Sequence, residues 1–138
     1  MPLPFYPRAG MLLVCDLTDF KPPEMDKHRP VIIISPRLPH RSDVVTVVPT
    51  STQKPRHSLP FCVQLSKNYH PTEADQPAPW AKCDMLMNLS AERLNGFKVG
   101  RRKFDHPIVS AEDLERVRRG VLHALGFGNL LETGESPK

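Results

Sequence analysis

The sequence contains no apolar run approaching the ~20 residues that a membrane-spanning helix requires. Its longest such run covers residues 30–36. No membrane span is expected, and because the amino end lacks a basic segment leading into an apolar one, no signal peptide is expected either. Paired cysteines are also missing. Cys15, Cys62 and Cys83 are far apart and none belongs to a Cys-x-x-Cys pair, which excludes the usual zinc and redox arrangements. An odd number of unpaired thiols fits a reduced cytoplasm. Each lies in or beside an apolar run, where cysteine serves as a small buried hydrophobe. The histidines at 28, 40, 57, 70, 106 and 123 never recur at zinc-ligand separations. Neither a metal nor a cofactor is expected.

A polycationic balance is absent as well: 19 Lys and Arg against 15 Asp and Glu leave a net charge of +4 and a pI near 9.2. The excess is local. Residues 98–119 hold seven Lys and Arg against four acids, and Arg37, Arg41, Lys54 and Arg56 add to it. An anionic partner is therefore a candidate, although basic side chains are also ordinary solvated surface. With 138 residues, 39% hydrophobic and 25% charged, the chain reads as one soluble globular domain over residues 1–138.

Proline is abundant, 16 residues that cluster between apolar runs and punctuate a chain of short strands. Residues 1–8, with Pro2, Pro4 and Pro7, read as an extended arm. Strands are expected at 11–17 (MLLVCDL), 31–35 (VIIIS), 44–50 (VVTVVPT), 61–65 (FCVQL) and 80–87. The β-branched run at 31–35 marks a central strand buried on both faces, and Pro49 marks the end of its strand or a bulge. Residues 66–79 form a polar connection too long for a turn. Residues 89–94 suit one helical turn, and 97–104 (FKVGRRKF) a basic strand or hairpin arm.

The clearest helix spans 110–126. Ser110 with Asp113 three residues on makes a capping box, Leu114, Val117, Val121, Leu122 and Leu125 form an apolar stripe, and Gly126 or Gly128 supplies the stop. Gly120 inside the helix signals close packing against another part of the chain. Residues 132–138 read as tail. Short strands followed by one helix predict an α+β fold, mainly β: a small, strongly bent antiparallel sheet or barrel over 9–104 with the helix packed on it.

Polar residues gather where the strands end, and loops at sheet ends carry sites. Glu24, His28 and Arg29 precede the second strand; Ser51, Thr52, Lys54 and Arg56 follow the third; Lys82 and Asp84 stand two apart in strand-like sequence, hence on one face. Metal-free RNA cleavage needs a base for the 2′-hydroxyl, donors for the phosphorane and an acid for the leaving oxygen. Arg29 offers a planar fork, Ser51 and Thr52 neutral donors, and Asp84 or Glu24 a proton acceptor. The same residues also suit plain turns and surface ion pairs. Trp80, the single tryptophan, suits stacking on a base or packing at the mouth of the sheet.

Residues 10–17, Glu24-x-x-x-His-Arg-Pro-Val-Ile-Ile-Ile-Ser through Ser35, Val-Val-Pro-Thr-Ser-Thr at 47–52 and Lys-Cys-Asp at 82–84 resemble, in order and spacing, the MazF/PemK (Kid) toxins of bacterial toxin-antitoxin systems. The resemblance runs from about residue 10 to residue 125. It implies an SH3-like antiparallel barrel with a carboxyl-terminal helix, a homodimer, and a metal-independent, sequence-selective endoribonuclease acting on single-stranded RNA. It also implies an acidic antitoxin partner and products with 2′,3′-cyclic phosphate and 5′-hydroxyl ends. By position, Arg29 matches the family's active-site arginine, Ser51 its catalytic threonine, Glu24 the first-loop acid and Asp84 a carboxylate proposed as base. Lys82 stands where the PemK branch has an arginine proposed as acid.

His28, Thr52, Lys54, Arg56 and Trp80 are then the RNA-binding candidates, and Arg101, Arg102 and Lys103 serve inhibitor, RNA or neither. The chain departs from the PemK branch at Pro23, where that branch has histidine, and in Met85-Leu86-Met87 after the carboxylate. The alternative reading is a non-catalytic barrel that binds RNA or a protein partner. A gyrase-poisoning relative is disfavoured, because the chain lacks the terminal tryptophan-containing segment of that group.

Overall fold

β-Branched residues build the centre of the sheet. In the computed structural model, which describes residues 3–19, 21, 27–40 and 43–132, strand β2 (Lys27–Ile33) lies between β1 (Leu12–Leu17) and β3 (Val44–Ser51). Val31, Ile32 and Ile33 are fully buried, as expected of a central strand. The remaining strands are β4 (Cys62–Gln64), β5 (Trp80–Lys82), β6 (Met87–Ser90) and β7 (Leu94–Asn95), and a separate hairpin joins β8 (Phe97–Gly100) to β9 (Lys103–Asp105). The main sheet runs β4-β5-β3-β2-β1-β7, every pair antiparallel, with β6 also on β3. Among the described residues its hydrogen-bonded ladder stays open instead of closing into the expected barrel.

Strand β3 is the spine. One edge pairs β2 from Ile33↔Val47 to Val31↔Pro49. The other pairs β6 up to Val47↔Met87 and then β5 at Thr50↔Ala81 and Ser51↔Trp80. Pro49 does not end the strand. It sits where the outer edge changes partner, a place where a missing N–H costs no ladder bond.

Alternation along the strands sends apolar side chains to both faces. Leu13, Cys15, Leu17, Val31, Ile33, Val45 and Val47 share one cluster; Leu12, Ile32, Ile34, Val48, Ala81 and Cys83 share another with Val117 and Val121 of helix α1 (Ala111–Ala124). Gly120 brings α1 close: a Cβ there would stand 2.6 Å from Cys83 Sγ. Gly126, at φ +86°, ends the helix, and a short α2 (Gly128–Glu132) follows that the sequence did not announce. The apolar stripe is narrower than expected, since Leu125 remains 54% exposed. Residues 133–138, read as tail, lie outside the described residues.

The capping box closes only halfway. Ser110 Oγ accepts the Asp113 N–H (3.1 Å), but the Asp113 carboxylate does not return to Ser110. It accepts from Ser66 N–H (3.0 Å), Ser66 Oγ (2.7 Å), Tyr69 Oη (2.8 Å) and Arg116 (3.2 Å), while Ser110 N–H donates to Tyr69 Oη. The 66–79 connection is thereby tied to the helix. A second correction concerns residues 80–87: the strand stops at Lys82 and Cys83–Met85 is a 3₁₀ turn before β6. The expected turn within 89–94 is the 3₁₀ turn Ala91–Arg93, and the expected basic hairpin is β8–β9.

Candidate active site

The register of four strands assembles one row of side chains. Thr50 Oγ1 donates to Pro30 O (3.1 Å) just beyond Val31↔Pro49, the last paired step of β2 with β3, and Arg29 and Ser51 lie on their strands two residues past that step, on the side of Val31 and Pro49. Ser51 pairs with Trp80, and Trp80 pairs with Gln64. Arg29, Ser51, Trp80 and Gln64 therefore share one face of β2, β3, β5 and β4, and Thr50, Ala81 and Val63 point to the helix side. With strands about 4.8 Å apart, the row spans about 14 Å.

Arg29, Ser51 and Trp80 are half-buried and Gln64 is exposed at the sheet edge. Ser51 Oγ accepts the Gln53 N–H (3.2 Å), which orients the oxygen and leaves the hydroxyl proton to donate. Gln64 Nε2 donates to Ala78 O (3.2 Å). Lys82, two residues beyond Trp80 and so on the face of this row, pairs with Cys62 and is half-buried. Asp84 is exposed in the 3₁₀ turn that follows, so the strand alternation expected to put it on Lys82's face does not extend to it. Burial pushes the Cys62 thiol up, with Lys82 lowering it and Asp84 raising it.

The other predicted residues are spread wider. Thr52, Lys54 and Arg56 are exposed on the irregular connection after β3. His28 precedes Arg29 in a strand and so points to the opposite face. There its Nε2 lies 3.8 Å from Asp16 Oδ1, and it lines a cavity of about 390 Å³ with Val14, Arg93, Asn95 and Lys98. Glu24 and Pro23 lie outside the described residues. Gln64 was not singled out from the sequence. Its only signal there was the alternation of FCVQL, which leaves one polar side chain on the face opposite the core.

Cys15 and Cys83 are buried free thiols, and burial pushes both up to about 12. Neither is a nucleophile near neutral pH. Among the described residues, no group of three or more His, Cys, Asp or Glu could hold a metal ion, and no helix is long and apolar enough to cross a membrane.

The fold is thus an antiparallel sheet of short strands with helix α1 on one face, and Arg29, Ser51, Trp80 and Gln64 stand on the other, which also carries the first apolar cluster. The family model for the PemK-like, MazF-like toxin of type II toxin-antitoxin systems matches residues 8–125, and the chain belongs to this family. Crystalline MazF (Form-I) from Deinococcus radiodurans is similar at a TM-score of 0.65 and 20% identity, covering 88% of this chain and 98% of that one. An endoribonuclease in complex with its cognate antitoxin, from Mycobacterial species, is similar at 0.61 and 18%, covering 87% and 95%. These two likenesses are of fold. The uncharacterized protein YifN of Escherichia coli (strain K12) is 27% identical over 151 residues, 95% of this chain and 99% of its own length.

Proposed function

We propose that this chain is the toxin of a toxin-antitoxin pair and acts as a sequence-selective endoribonuclease on single-stranded RNA. The observation that carries the reading is that Arg29 and Ser51 lie on the same side of neighbouring strands, each two residues past the Val31↔Pro49 pair and each half-buried. A guanidinium and a hydroxyl there suit two non-bridging oxygens of one phosphodiester, where negative charge grows in the transition state. Family membership and the likeness to proteins named endoribonuclease support the same reading.

In this reading the 2′-oxygen attacks phosphorus as a base removes its proton, the P–O5′ bond breaks, and an acid protonates the departing O5′. The products are a 2′,3′-cyclic phosphate and a 5′-hydroxyl. Asp84 or Glu24 serves as base and Lys82 as acid; Arg29 and Ser51 hold the phosphorane oxygens. No step is assigned to a metal. Thr52, Lys54, Arg56 and Trp80 contact neighbouring nucleotides. The chain works as a homodimer in the cytoplasm and is silenced by an acidic antitoxin, a kind of partner present in the mycobacterial and Deinococcus complexes.

The experiment is incubation of the full chain with a long single-stranded RNA in EDTA, beside Arg29→Ala and Ser51→Ala, with mapping of new 5′-hydroxyl ends. Site-selective cuts are expected, reduced about a hundredfold or more in both variants. Intact RNA from folded protein, across many sequences, overturns the nuclease reading and leaves a binding module.

A further inference from the structure

The polar row does not end at the proposed phosphate site. It continues outward through Trp80 to Gln64 on β4, an edge strand of the sheet. We infer that Trp80 and Gln64 form a base-reading subsite for single-stranded RNA, in which the ring of Trp80 stacks on a nucleobase and the Gln64 amide reads that base's edge. The inference rests on the proposal that RNA lies along this face.

Three observations carry it. The first is distance: Trp80 is one strand step from Ser51 and Gln64 two, about 5 and 10 Å, which suits the base of a nucleotide whose phosphate sits at Ser51. The second is accessibility. Gln64 is exposed and Trp80 only half-buried, and Trp80 appears in neither apolar cluster nor among the residues packed on them. A large aromatic side chain beside a polar row, outside the core, is the composition of a stacking platform.

The third observation is orientation. One Nε2 proton of Gln64 is committed to Ala78 O (3.2 Å), and Leu65 N–H donates to Pro79 O (3.0 Å), so the segment before Trp80 is held against β4. The amide is set before any ligand arrives, and Oε1 and the second N–H remain available. One acceptor beside one donor complements the donor-acceptor pair that a base edge presents, such as N6–H and N7 of adenine or N3–H and O4 of uracil. A carboxylate in the same place accepts only and favours bases with an exocyclic amine, adenine and cytosine, over uracil.

Trp80 is the single tryptophan of the chain, so intrinsic fluorescence reports on this one position. The test titrates the full chain, Gln64→Ala and Gln64→Glu with short 2′-O-methyl oligonucleotides of one base each, which lack the 2′-hydroxyl and are not cut. Wild type is expected to show quenching and a base ranking that spans about tenfold in affinity. Gln64→Ala flattens that ranking with its melting temperature unchanged, and Gln64→Glu weakens uracil relative to adenine and cytosine, whose amines donate to a carboxylate. Trp80→Phe, read by competition with a labelled oligomer, keeps most of the affinity, whereas Trp80→Ala loses about tenfold.

Fluorescence indifferent to every oligomer, or a base ranking identical in wild type and both Gln64 variants, overturns the inference. Because binding is read without cleavage, the two proposals fail separately. Quenching and base ranking by a protein that leaves RNA intact sinks the nuclease and keeps the subsite; cuts whose base preference ignores Gln64 do the reverse.

Discussion

Arg29 and Ser51 carry different demands on their side chains, and conservative changes separate them. A guanidinium presents a planar fork to two phosphate oxygens, and an ammonium is a single point charge. Arg29→Lys keeps the charge and is expected to lower the single-turnover cleavage rate at least about tenfold. Ser51→Thr retains the hydroxyl that Gln53 N–H orients and is expected to stay within about threefold of wild type, in contrast to Ser51→Ala. Both rates are read on one synthetic RNA under enzyme excess. The residues of this pair were legible from their types and from the strand ends they occupy. Their lying on one side of adjacent strands was not, because it follows from a pairing of β2 with β3 that no local pattern encodes.

Helix α1 is held by two contacts at opposite ends of the physical scale, one of shape and one of charge. Gly120→Ala improves intrinsic helix propensity by about 1 kcal/mol, but the new methyl would meet Cys83 Sγ at 2.6 Å and Val63 at 3.0 Å. Overpacking is expected to win, with a net loss of about 1–2 kcal/mol by urea unfolding. Asp113 is only 1% exposed. Burial pushes its carboxyl up, yet hydrogen bonds from Ser66 and Tyr69 and the charge of Arg116 outweigh this and hold it below the ordinary 3.8. A depressed folded value means that its contribution is complete above the unfolded pKa and is lost as pH falls through the folded one. The melting temperature of wild type should therefore drop below about pH 4, more steeply than that of Asp113→Asn, which starts lower by about 1–3 kcal/mol. The helix itself was readable from its cap and stripe, and Gly120 did mark a close approach. The partner of Asp113 was not readable, since Ser66 and Tyr69 lie 47 and 44 residues away.

At the scale of the molecule, three thiols are buried in a sheet that encloses no disulfide. Burial raises Cys15 and Cys83 from 9.0 to about 12. For an acid whose folded pKa is raised, stability is intact below the unfolded value and declines as pH climbs toward the folded one. Urea midpoints are expected to be flat through neutral pH and to fall between pH 9 and 12, less so in a Cys15→Ala/Cys83→Ala variant, while thiol reagents modify the native protein only as fast as it unfolds. The absence of paired cysteines and of long apolar runs bounded the class of molecule. The resemblance of the spaced motifs to the MazF/PemK toxins is matched by the family model over residues 8–125, and the mainly β fold with a carboxyl-terminal helix is the one observed.

The sequence by itself determined what is local: the strand-forming β-branched runs, the helix with its serine cap, and the order in which an arginine, a hydroxyl, a lysine and a carboxylate follow one another. Periodicity and turn chemistry act over a few residues and leave direct marks. Only the tertiary structure decided which of those residues share a face. Pro49 became a change of partner along β3 and not a stop, the strand ended at Lys82 so that its alternation does not reach Asp84, and Gln64 joined the row. Register is the physical reason. A slip of one residue sends every side chain of a strand to the other face, so the composition of the row is a property of the assembled sheet.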